Sequence, residues 1–110
     1  PGGCVDPQDL NLESAISREL KEETGFVFNE YHYLGKTSAN PSTHNNWMHF
    51  FLATGGKKES EQELDPNEEI EICLLKLDQV KDLLRNQEIM QSMHVTALLY
   101  ALEKLGELKY

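Results

Sequence analysis

Cysteine is nearly absent from this sequence. Cys4 and Cys73 lie far apart and form no CxxC or Cys/His spacing, so neither a zinc site nor a disulfide framework is indicated, and a reducing, cytoplasmic setting is the expectation. Positive charge is also scarce. Ten Lys and Arg stand against 19 Asp and Glu, a net charge of -9. That balance argues against the clustered cations a nucleic-acid backbone requires, so a small-molecule partner is expected. No apolar run approaches the roughly 18 residues of a membrane span, and no signal-like segment is present, so a soluble chain without membrane association is expected. Length is limiting too: 110 residues, 39% of them hydrophobic, leave room for one domain, residues 1–110, with a small core.

What is present is acid. An acidic protein that handles phosphates must overcome repulsion at its own site, and bound divalent cations do so by locally reversing the field. The alternative is that the negative charge serves solubility alone.

The apolar residues Leu12, Ala15, Ile16 and Leu20 recur at helical spacing between Asn11, a suitable N-cap, and Gly25, a suitable C-terminal stop. Phe26-Val27-Phe28 and Tyr31 to Thr37 read as strand, and Trp47 to Ala53 as a buried strand beyond a polar loop, Ser38 to Asn46. Thr54 to Asn67 is turn-like and charged. Glu69 to Leu77 alternates Ile70, Ile72 and Leu74 with polar residues, which predicts another strand. Asp78 to Arg85 predicts a short helix capped by Asp78. Met90 to Leu105 predicts a longer one with Met93, Ala97, Leu98, Ala101 and Leu105 facing the core. This order suggests a mixed sheet covered by helices.

On a helical wheel the first helix sets Glu13, Ser14, Ser17, Arg18 and Lys21 opposite its apolar stripe, while Glu19, Glu22 and Glu23 fall on or beside the stripe. Burying unpaired carboxylates costs several kcal/mol, so three of them tending inward call for a cation. Residues at i, i+3 and i+4 are neighbours, and oxygen donors suit magnesium or manganese. A metal so held neutralises pyrophosphate oxygens and lowers the pKa of a bound water, while a free carboxylate takes the proton. Geometry alone leaves a second reading open: a solvated, charge-rich helix end with Arg18 and Glu22 as a simple i, i+4 pair.

The run Arg18-Glu19-Leu20-Lys21-Glu22-Glu23-Thr24-Gly25-Phe26 resembles the second half of the Nudix box, which reads Gly, five residues, Glu, seven residues, Arg-Glu-hydrophobic-any-Glu-Glu-any-Gly-hydrophobic. The first half begins at Gly3, but Asp9 replaces the expected Glu and eight residues separate it from Arg18, so the loop before the helix must absorb one extra residue.

The resemblance implies a Nudix-type α/β/α sandwich with a mixed β-sheet, and a hydrolase that cuts a phosphoanhydride. It implies that Glu19, Glu22 and Glu23 bind Mg2+, with Mn2+ as a substitute, and that Arg18 orients a helix carboxylate. Gly3 would add a backbone carbonyl to the metal. The base is either a helix glutamate or one on a later loop, where Glu68 and Glu69 stand. The stretch from Asn40-Pro41-Ser42 to Ala53 is similar to members acting on ADP-ribose or nucleotide sugars, with Asn45 and Asn46 lining the cleft or serving as turn residues. His49 reads as a sheet-face or core histidine. Trp47 and Tyr33 could stack on a base or simply pack.

The chain opens at Pro1 without an initiator Met, and the strands that normally precede the box are not in it. An N-terminal truncation is therefore expected, with strand partners borrowed from another chain, as in a homodimer, as one consequence. Competing functions are a nucleoside triphosphate pyrophosphatase, an RNA-cap hydrolase, against which the acidic composition counts, and a ligand-sensing module without catalysis.

Overall fold

The computed structural model describes residues 10–38 and 47–109. Within them the chain runs α1 (Leu12–Thr24), β1 (Phe26–Val27), β2 (Glu30–Ser38), β3 (Trp47–Thr54), β4 (Lys57–Lys58), α2 (Leu77–Arg85) and α3 (Ser92–Lys104). Helices and strands are mixed, as expected. The strands form two pairs, β1 with β4 and β2 with β3. By contact the chain divides into two compact units. One combines Ala53–Cys73 with the chain up to Tyr31, and the other combines His32–Leu52 with the chain from Leu74 onward.

In the first unit α1 begins where the sequence says it should. The Asn11 side chain accepts the Ser14 N–H at 2.8 Å, satisfying one of the donors a helix start leaves orphaned, an interaction worth about 1 kcal/mol. It ends at Gly25, whose φ of 77° only glycine adopts without strain and whose N–H closes the last turn on the Lys21 carbonyl at 2.8 Å. Beyond it Phe26 pairs with Lys58 and Val27 with Lys57, antiparallel. The β4 pair lies in a segment that reads as a turn from its charges, because two exposed lysines carry no period-2 signal. The rings of Phe26, Phe28 and Tyr31 follow one another with centroids 6.3 Å apart at each step. Ala15, on the apolar stripe of α1, is buried.

In the second unit Phe50 is the buried residue of β3, and its ring meets Tyr100 of α3 edge-on at 5.9 Å. Gly35 interrupts β2 with φ 138°, and exposure falls at Tyr33 and Lys36, three apart, where strict alternation would put two. A glycine with positive φ and a one-residue slip in alternation are the marks of a bulge. Tyr33 contacts His49 and Phe51, whereas Lys36 contacts Trp47, so the two strands run in opposite directions. Trp47 at 52% and His49 are exposed, which corrects the reading of Trp47 to Ala53 as buried throughout.

Two further expectations change. Glu69 to Leu77 makes no strand: Ile70 and Ile72 are 36% exposed and Leu74 80%, and the segment has no ladder partner among the described residues. Period-2 alternation describes a face, but a strand also needs a neighbour to take its backbone hydrogen bonds. α2 starts one residue earlier than Asp78 because Gln79 reaches back to accept the Lys76 N–H at 2.8 Å, leaving Asp78 as a first-turn acid favoured by the helix dipole. On α3 the buried position is Leu102, not Leu105, which is the C-cap residue and half exposed. The Gln91 side chain accepts the His94 N–H to open that helix, and Lys81 of α2 pairs with Glu107 at 2.8 Å.

At Gly25 a Cβ would lie 1.9 Å from the Ser60 carbonyl oxygen, whereas at Gly106, with similar φ of 73°, nothing lies within 4 Å. Gly25→Ala should therefore cost about 2 kcal/mol or more and Gly106→Ala only about 1 kcal/mol. Urea unfolding of both variants checks the order.

Candidate active site

The C-terminal half of α1 carries four of the residues singled out in the sequence. Arg18 Nη1 donates to Glu19 Oε1 at 3.0 Å and to Glu22 Oε2 at 3.4 Å. One guanidinium nitrogen thus holds two carboxylates of the same helix side by side. Neighbouring carboxylates repel, and a shared cation offsets that repulsion. These side chains are partly exposed, at 23% for Arg18, 17% for Glu19 and 40% for Glu22. Glu23 is buried at 9%. Glu19 and Glu23 thus do tend inward, while Glu22 lies nearer solvent.

An acidic loop is fastened to the same turns. The carbonyls of a last helical turn have no acceptor role inside the helix and need outside donors. Glu63 N–H donates to the Glu22 carbonyl at 2.7 Å, and Glu59 and Ser60 N–H both donate to the Gly25 carbonyl, at 2.9 and 3.1 Å. Gln62 Nε2 donates to the Glu23 carbonyl at 2.7 Å and to the Ile70 carbonyl at 3.0 Å, so one side-chain amide clamps the helix end to the far side of the loop. Thr24 completes the turn, its hydroxyl donating to the Leu20 carbonyl at 2.6 Å and accepting the Phe26 N–H at 3.1 Å.

Glu68 is on this loop, in a turn whose N–H bonds the Asp65 carbonyl at 2.9 Å. Its carboxyl pKa is raised from its usual value. Loss of surrounding water is the first cause, followed by the side-chain hydrogen bond and negative charge of Asp65 and by the charge of Glu19, while a backbone hydrogen bond at Asp65 pulls the other way. Glu68 therefore shares an electrostatic field with the helix glutamates. Glu69 is exposed. Gly3, Asn45 and Asn46 lie outside the described residues.

Oxygen-only donors spaced i, i+3 and i+4 on one helix have the chemistry a hard divalent cation selects. Among the described residues, however, no three carboxylate, imidazole or thiol groups gather around a common point. Arg18 occupies the space between Glu19 and Glu22, so an ion would have to draw both side chains away from the guanidinium. Beside this cluster an open cleft of about 370 Å³ is lined by Glu13, Ser14, Ser17, Arg18, Lys21 and Tyr31. The Tyr31 hydroxyl donates to Ser17 Oγ at 3.1 Å there.

Sequence reasoning missed Gln62, Asp65 and Tyr31. The first acts only on backbone carbonyls and the last only once the chain turns back on α1, so neither leaves a local pattern. Asp65 stands three before Glu68, a turn spacing that could have been read as a carboxyl pair.

A carboxyl with a raised folded pKa contributes stability below its unfolded pKa and loses that contribution as pH rises through the folded value. Asp65→Asn removes one of the charges responsible. The Glu68 pKa should fall toward its usual value, followed by carboxyl-resolved NMR titration; an unchanged value would leave desolvation and Glu19 as the causes.

Known proteins resemble this chain along nearly all its length. The NUDIX domain profile matches residues 1–94. A protein described as a methanol dehydrogenase activator from Bacillus methanolicus is 31% identical over 101 residues, covering 91% of this chain and 54% of that protein. ADP compounds hydrolase NudE of Escherichia coli (strain K12) is 34% identical over 103 residues, covering 94% and 54%. A crystal structure of an ADP compounds hydrolase superposes with a TM-score of 0.77 at 30% identity, over 94% of this chain and 57% of the other. The chain thus spans little more than half the length of these relatives. A profile matched across most of the sequence, the intact second half of the box on α1 and a superposition of that quality agree: the chain belongs to the Nudix family.

Proposed function

We propose that this chain is a Nudix hydrolase cutting the phosphoanhydride of a nucleoside diphosphate linked to another group, ADP-ribose or a nucleotide sugar, with Mg2+ as its cofactor and Mn2+ as a substitute. The observation that carries it is the joining of the box glutamates to the Glu68 loop through the last-turn carbonyls of α1. Members of the family generally use divalent metal ions, and a similar protein and a similar solved structure are both named as an ADP compounds hydrolase.

In this reading Glu19, Glu22 and Glu23 hold the cation, with the Gly3 carbonyl as a further ligand. When bound there, a divalent ion supplies positive charge for the pyrophosphate oxygens and acidity to an attacking water. Arg18 holds Glu19 and Glu22 side by side and would stand as a cation beside the substrate's phosphates. Lys21 adds a second positive charge in the neighbouring cleft. Glu68 is the proton acceptor we favour over Glu69: it lies in the field of Glu19, and its raised pKa moves it toward the working pH of a general base. Asn45 and Asn46 are assigned to substrate binding. No helix among the described residues is long and apolar enough to cross a membrane, and a cytoplasmic setting accords with the two widely spaced cysteines.

A second reading has one observation in its favour. The Bacillus methanolicus protein is named for activating another enzyme, which suits a nucleotide-binding module that acts on a partner. Turnover separates the two. Hydrolysis of ADP-ribose or a nucleotide sugar to two phosphate monoesters should require millimolar Mg2+, stop on chelation, and fall roughly 100-fold or more in Glu22→Gln, the scale of a lost catalytic carboxylate. Tight nucleotide binding with no turnover of any diphosphate would select the second reading.

A further inference from the structure

The hydrolase reading leaves one set of exposed groups without a role. On the face of β2 and β3 that the Gly35 bulge realigns, the exposed Tyr33, Lys36, Trp47 and His49 stand together with the half-buried Phe51, all within the second unit. Tyr33 is 50% and Trp47 52% exposed, unusual for the two largest rings of a strand pair. They are nevertheless held in place. The Tyr33 hydroxyl and His49 Nδ1 are hydrogen-bonded at 2.9 Å with their rings 5.9 Å apart, and Phe51 meets the Tyr33 ring edge-on at 5.3 Å. The Lys36 ammonium lies 4.5 Å from the Trp47 ring centroid, and among the described residues it makes no ion pair.

Charge decides what fits. In a chain with 19 acidic and 10 basic side chains, this face presents an ammonium held by a ring and no carboxylate among the five residues. Flat rings fixed in advance accept another flat ring at little entropic cost, and stacking is tolerant of which base is presented. A cation beside the rings favours an anionic ligand. With Nδ1 engaged by Tyr33, His49 Nε2 is the imidazole nitrogen left to meet a base edge.

We propose that Tyr33, Trp47, His49 and Lys36 form a platform that binds a nucleotide, the base stacking on the rings and a phosphate pairing with Lys36. The choice of a nucleotide among planar anions rests on the hydrolase reading; the platform itself rests on the exposed, pre-positioned rings.

Trp47 is the only tryptophan in the chain, so its emission reports on this face alone. The whole chain, freed of metal by chelator so that nothing turns over, is titrated with adenosine monophosphate, adenosine and ribose 5-phosphate. Adenosine monophosphate should quench Trp47 saturably, adenosine more weakly and ribose 5-phosphate hardly at all. Tyr33→Ala should weaken the response roughly tenfold, the scale of one lost stacking partner. Lys36→Glu, a surface change that spares the fold, should weaken adenosine monophosphate severalfold and leave adenosine unchanged. Three results would overturn the platform: Trp47 emission unaffected through millimolar nucleotide, equal responses from both variants and the parent, or a shift that follows protein concentration alone and so identifies a second copy as the occupant. Hydrolysis assayed in parallel with Mg2+ keeps the two proposals apart. Quenching without hydrolysis defeats the hydrolase reading, and hydrolysis without quenching defeats only the platform.

Discussion

Carbonyls at the end of a helix must find donors, and in this protein that requirement links the box to the rest of its unit. α1 is long enough to display the glutamates, but its last turn would be left bare by helix geometry alone. Glu59, Ser60, Gln62 and Glu63 supply the missing donors to the carbonyls of Glu22, Glu23 and Gly25. The loop is brought in by backbone chemistry, and its acids arrive with it. Gly25 is the hinge of this arrangement, since its positive φ lets its carbonyl meet two N–H groups where any Cβ would strike Ser60.

The electrostatic consequence is a cluster of carboxylates held close by groups that do not fully neutralise them. Exposed ion pairs such as Arg18 with Glu22 contribute little to stability, about 0.5 kcal/mol or less. Their value here is placement: one guanidinium nitrogen keeps Glu19 and Glu22 side by side at small energetic cost. Glu68, pushed toward protonation by desolvation, Asp65 and Glu19, registers the uncompensated charge on the loop side.

Local signals were legible in the sequence and non-local ones were not. Asn11, Gly25 and the apolar stripe define α1 to the residue, because capping and φ preference act within a few residues. The box residues follow from the same stretch. The strand expected at Glu69 to Leu77 fails because its alternation says nothing about whether a partner strand is at hand, and Ile70, Ile72 and Leu74 remain in contact with solvent. β4 escapes notice because two lysines pair through backbone alone. That Lys36 shares a face with Tyr33 and Trp47 follows from the one-residue slip at Gly35, which alternation alone does not announce. Gln62 has no sequence signature, since its partners are carbonyls of residues remote along the chain. The expectations for Gly3, Asn45 and Asn46 fall outside the described residues.

The claim on which the functional reading turns is that the α1 glutamates take a divalent ion from the embrace of Arg18. Mn2+ added in substoichiometric amounts broadens NMR signals of nuclei near the bound ion. Amide broadening centred on Glu19 to Glu23 and extending to the Glu68 loop, with Mg2+ reversing it, is the expected result. Broadening centred on another part of the chain, or none at all, would contradict a metal site on α1.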